Sequence, residues 1–155
     1  MKKRLIALMM ALCLVLLCAC GSTKTEKSSD LSALKADILA QMGADNMIEL
    51  TGDDLLEMFG IQADDVKQYI ALISKESLSS DEVLIFEAVD DDAAKRILEK
   101  VNSRYQNKLV ENKDYLPDEY TKISSCKVEQ NGRYISMIIS SDSESLTKLY
   151  TDSFK

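Results

Sequence analysis

Leu31, Leu34, Ile38 and Met42 recur at steps of three and four, which puts them on one face of a helix. Asp30 stands where a side-chain acceptor can cap that helix, and Gly43 stands where it can stop. A second start signal follows, with Thr51 as N-cap, Asp54 three residues later, and Leu50 and Leu55 at the two positions of a hydrophobic staple. This predicts a short helix to Phe59, ended by Gly60. The pattern then changes: VKQYIALIS over 66–74 and EVLIFEAV over 82–89 are β-branched and aromatic, and the Ser-rich acidic stretch between them reads as the loop of an antiparallel pair.

Asp90, Asp91 and Asp92 favour a helix N-terminus through the dipole, and the stripe Ala94, Ile97, Leu98, Val101, Tyr105 and Leu109 predicts a long helix to about Glu111. Asp92 precedes Arg96 by four, a helix-supporting ion pair. Pro117 with Asp118 and Glu119 predicts a short helical turn. Two strands, 126–130 and 133–140, flank Asn131-Gly132, the dipeptide of a tight hairpin. That turn pairs Val128 with Ile135 and Cys126 with Met137, and it sets Cys126, Val128, Ile135, Met137 and Ile139 on one apolar face. Ser141 with Glu144 suggests a capping box for a last helix bearing Leu146, Leu149, Tyr150 and Phe154.

The expected fold is therefore α+β: a four-stranded, mainly antiparallel sheet in a ββα-ββα order, preceded by two N-terminal helices. Strand 66–74 is expected to put Val66, Ile70 and Leu72 on one side and Tyr69, Ala71 and Ile73 on the other. Both sides are apolar, so the long and last helices are expected on one face and the two leading helices, with a partner as the alternative, on the other.

Lys2, Lys3 and Arg4 followed by the apolar run 5–18 form a secretory signal, too short for a spanning helix. The run Leu17-Cys18-Ala19-Cys20 resembles the bacterial lipobox, which implies cleavage before Cys20 and diacylglycerol modification of that residue as the first of the mature chain. Two acyl chains suffice for stable anchoring where one does not. The expected organisation is a lipoprotein signal peptide at 1–19, the lipidated Cys20 with a flexible linker to residue 29, and one globular domain at 30–155. The linker spans at most ~30 Å, so the domain works on the extracytoplasmic face, close to the cell membrane.

The 155 residues carry 19 Lys and Arg against 26 Asp and Glu. Loss of 1–19 removes three of the positive charges and no acid, leaving a formal net charge of −10. Nucleic acid is not an expected partner, because a phosphate backbone is bound by clustered Lys and Arg. His is absent, which removes Ser-His-Asp and Cys-His arrangements and His-ligated zinc. Of four Cys, only Cys126 belongs to the expected domain, so no intramolecular disulfide is expected there.

The lipobox, the Leu/Ile-spaced first helix, Asp54-Leu55 to Phe59-Gly60-Ile61, the strand ending at Ser74, Glu87-Ala88 before the Asp run, Tyr115-Leu116-Pro117-Asp118-Glu119-Tyr120 and Gly132-Arg133-Tyr134-Ile135 together resemble a family of uncharacterised small lipoproteins of Gram-positive bacteria, classed as a domain of unknown function. The resemblance implies location and fold; the family brings no activity, ligand or site.

Candidate chemistry is sparse. Asp90–Asp92, Asp53-Asp54 and Asp64-Asp65 could offer oxygen ligands to Ca²⁺, but consecutive residues do not converge on one ion, and they suit helix starts and a turn. Two facing carboxylates could run glycoside hydrolysis, yet no pair stands out among 26 acids. Tyr69, Tyr105, Tyr115, Tyr120, Tyr134 and Tyr150 read as half-buried packing residues, and Met42, Met47, Met58 and Met137 as core filling, without the clustering that copper would want. Cys126 reads as a core residue. Cys20 is thus the one site residue expected, with no catalytic, cofactor-binding or metal position. The expected function is a membrane-anchored, non-enzymatic binding module for an unknown protein or envelope component; the alternative is a small carboxylate-dependent envelope enzyme.

Overall fold

The computed structural model describes residues 28–154; Cys20 and the expected signal peptide lie outside them. The chain runs α1 (Leu31–Met42), β1 (Met47–Glu49), α2 (Gly52–Phe59), β2 (Val66–Ser74), β3 (Glu82–Ala88), α3 (Asp91–Asn112), α4 (Pro117–Ser124), β4 (Val128–Asn131), β5 (Tyr134–Ile139) and α5 (Ser143–Asp152). All strand pairs are antiparallel, in the order β1-β2-β3-β5-β4.

The local signals act where the sequence puts them. Asp30 accepts from the Ser32 and Ala33 amides at the start of α1, Thr51 N and Oγ1 both donate to Asp54 Oδ2 at 2.7 Å, and Asp90 Oδ1 accepts from Ala93 N at 2.7 Å. Gly60 closes α2 at φ 67°, a left-handed conformation that glycine takes without Cβ strain.

The sheet has five strands rather than four, and α2 follows the first strand instead of preceding the sheet. β1 is three residues long, too short to show an alternating pattern. It exists because β2 supplies its bonding partners: Leu50 N donates to Ala71 O, and Lys75 N donates to Asn46 O, both at 2.9 Å. The two leading helices also separate. α2, α3 and α4 pack on one face with Leu84, Phe86, Ala88, Ile135, Met137 and Ile139, whereas α1 and α5 cover the other with Ile70, Leu72, Val83, Ile85 and Ile138. All seven residues of the central strand β3 are buried between these layers.

Four local details differ from expectation. A β-bulge at Lys67 puts Val66 opposite Ala88 and Gln68 opposite Glu87; the extra residue turns Val66 to the α3 face, with Tyr69, Ala71 and Ile73. The β4–β5 turn is Gly132-Arg133 rather than Asn131-Gly132: Asn131 pairs with Tyr134 and Val128 with Met137. Of the two turn residues only Gly132 has a positive φ, 58°, as a hairpin turn with glycine first requires. A slip of two residues preserves the faces, so Val128 still packs with Ile135, Met137 and Ile139, while Cys126 precedes the strand. Finally, α5 begins at Ser143 behind Asp142, with no side-chain cap, and Asp92 pairs with Lys95, leaving Arg96 to Asp65.

Candidate functional site

The acidic runs are occupied by their own surroundings. Asp65 takes a two-pronged bond from Arg96 (Nε–Oδ2 3.0 Å, Nη2–Oδ1 2.5 Å), which holds its carboxyl below the usual range. Asp54 is lowered by its bonds from Thr51, and Asp92 by Lys95. Among the described residues, no three His, Cys, Asp or Glu side chains stand together as metal ligands.

Two carboxylates are buried in the sheet itself, one at each end of β3. Glu82, on the α3 face with its side chain 1% exposed, receives Arg104 (Nε–Oε1 3.0 Å, Nη2–Oε2 2.7 Å) and Lys108 (3.0 Å). Arg104 also lies 5.5 Å from the centre of the Phe59 ring. Glu87 projects to the α1 face and is equally buried. Because the bulge sets two successive β2 residues against one of β3, Lys67 Nζ reaches Glu87 Oε1 at 2.8 Å and Gln68 Nε2 reaches Oε2 at 2.5 Å. Burial pushes the Glu87 pKa up, but the bonds from Lys67, Gln68 and Tyr134 together outweigh it and hold the carboxyl below its usual range.

This second carboxylate organises the place where the chain enters the fold. Ser29 N donates to Tyr134 Oη at 3.1 Å, Ser29 O accepts from Gln68 Nε2 at 2.8 Å, and Leu31 N donates to Gln68 Oε1 at 3.0 Å. Ser29 Oγ donates to Ser153 Oγ at 2.7 Å, joining this end to the chain's C-terminal turn. Ser29 is thereby buried. Burial pushes the Tyr134 hydroxyl pKa up, so it stays a neutral donor and acceptor. Pattern reading missed this clamp, although a glutamate and a glutamine inside apolar strands were its signal: buried polar groups need partners.

A groove of about 220 Å³ lies at the other side of the α1/α5 layer, where α5 leaves the β4 edge uncovered. Its floor is Glu129, Ser136 and Ile138, one wall is Ser143, Glu144 and Thr147 of α5, and the other is 125–127. Cys126 lines it half-buried: its Sγ donates to Lys122 O at 3.3 Å, and its carbonyl accepts from Tyr105 Oη at 2.9 Å. Of the other residues singled out from sequence, Tyr134, Tyr150 and Met137 are buried, and Tyr115 is 85% exposed.

Residues 40–140 match the family described as Domain of unknown function (DUF4358). The matched stretch contains the whole sheet with Gln68, Glu82, Glu87 and Tyr134, and leaves Ser29 and α5 outside. No curated protein and no solved structure matches the chain.

Proposed function

The chain belongs to the DUF4358 family, and from that premise we propose that it is a lipoprotein of a Gram-positive cell membrane, anchored through Cys20, whose extracytoplasmic domain binds a protein or envelope component and catalyses no reaction. The observation that carries the reading is the clamp on Ser29, nine residues after Cys20. A domain held by a lipid transmits every pull through its N-terminal strap, and here Ser29 is held by two main-chain bonds, to Tyr134 and Gln68 of the sheet, and by a side-chain bond to Ser153. Two acyl chains on Cys20 would supply a stable hold, and no helix among the described residues is long and apolar enough to cross a membrane.

The binding role is favoured over a carboxylate enzyme by the state of the two buried acids. A general acid or base must reach a substrate proton at hydrogen-bond distance. Glu82 and Glu87 are each 1% exposed and saturated by their own cations and donors, so neither can do so.

The test is metabolic labelling with an alkyne fatty acid in a Gram-positive host. Wild type is expected to be labelled and to sediment with membranes, and Cys20→Ser to lose the label. Equal labelling of the two proteins would overturn the reading.

A further inference from the structure

We propose that the free edge of β4 takes an extended polypeptide segment as a sixth strand, with a basic side chain of that segment lying in the groove against Glu129 and Glu144. This rests on the reading of the domain as a binding module and names its partner class.

The backbone chemistry comes first. Ala88 N donates to Arg133 O at 2.9 Å, which makes Glu87 and Tyr134 a non-hydrogen-bonded pair and turns the Tyr134 N–H and C=O toward β4. Asn131 and Tyr134 therefore bond each other across the turn. Alternation then directs the N–H and C=O of Gln130 and Val128 away from β5, to the outside of the sheet. β4 is the last strand in the order. A row of outward donors and acceptors two residues apart is recognised by one kind of ligand, an extended main chain, and alternate side chains of that ligand fall on each face of the sheet.

The groove then selects among such chains. A strand added beside β4 sends every second side chain to the α1/α5 face, where α5 stops short and the groove opens over Glu129 and Ile138. Glu129 is paired at 2.5 Å with the exposed Lys127, whereas Glu144, exposed on the α5 wall, pairs with no cation among the described residues. A long cationic side chain can cross the edge and reach Glu144, and the formal net charge of −7 for the whole chain favours its approach. At the opposite edge, β1 is one residue shorter, and its Glu49 already pairs with Lys35 of α1.

The probe is a blocked heptapeptide of alternating Thr and Val with a central Lys, and its counterpart with a central Glu, titrated into the ¹⁵N-labelled full chain in detergent. The Lys peptide is expected to shift the Val128 and Gln130 amides saturably and to bind about threefold more tightly than the Glu peptide, the size of an exposed ion pair. Glu144→Gln should abolish that preference while leaving the fold untouched. Gln130→Pro removes an outward donor and blocks the edge, so it should abolish the shifts at Val128. Shifts confined to other surfaces, no saturable shift up to millimolar peptide, or equal affinity of the two peptides for wild type would overturn the proposal. Fatty-acid labelling at Cys20 stands or falls separately from these results.

Discussion

Replacing Glu82 by Gln should be far more damaging than the same change at Glu87, although both carboxylates are 1% exposed and sit in the same strand. Glutamine keeps the volume, so neither change opens a cavity, and the cost is set by what happens to the partners. Around Glu82 the cations have nowhere to go: Lys108 is 10% exposed and Arg104 25%. Uncompensated buried charge of this kind costs about 3–5 kcal/mol. The cation paired with Glu87 is Lys67, 55% exposed, which can return to water. Gln68 and Tyr134 keep their bonds to Ser29, so the loss is that of one or two hydrogen bonds, about 1–2 kcal/mol. The chain has no Trp, so the assay is urea unfolding at pH 7 followed by far-ultraviolet circular dichroism. With a slope of about 1.5 kcal/mol per molar urea, the midpoint should fall by about 2–3 M for Glu82→Gln and by about 1 M for Glu87→Gln. Equal losses, or a larger loss at Glu87, would refute the argument that partner exposure decides the cost.

Acid should unfold the domain through its clamped carboxylates. Glu87 and Glu119 are pushed up by burial but held lower by their bonds, Glu119 by those from Lys122 and the Ser80 amide, and Asp65 is lowered by Arg96. Folded values below the unfolded ones mean that the unfolded chain binds protons first as the pH falls. The stability they lend is complete above the ordinary Glu value of 4.5 and is lost as pH drops through the folded values. Unfolding free energy measured from pH 7 to 3 should be level, then fall, and Glu87→Gln should make the fall shallower; an unchanged slope would count against the clamp. Cys126, half-buried with its Sγ on Lys122 O, should react with a thiol reagent about tenfold faster in urea than in the native domain, and equal rates would contradict its packing.

What the sequence determines by itself is what adjacent residues decide among themselves. Asp30, Thr51 with Asp54, and Asp90 act on amides within three residues, so the starts of α1, α2 and α3 are legible. The faces of β5 are legible too, because a period of two survives a two-residue slip of the turn. The run Leu17-Cys18-Ala19-Cys20 that resembles a lipobox is likewise a local pattern, and it lies outside the described residues. Tertiary structure decides the rest. β1 has no pattern of its own and is made a strand by Ala71 O and Lys75 N, on the β2 side, which bond Leu50 N and Asn46 O at its two ends. The leading helices part company because the central strand β3 is apolar on both faces, and each face needs cover. The clamp joins Ser29, Gln68, Glu87, Tyr134 and Ser153, partners separated by 19 to 124 residues, and it depends on a bulge at Lys67 that no local residue preference announces. The hydrophobic effect is non-directional, so periodicity says which side of a strand is buried. Only the assembled sheet determines which buried polar groups meet.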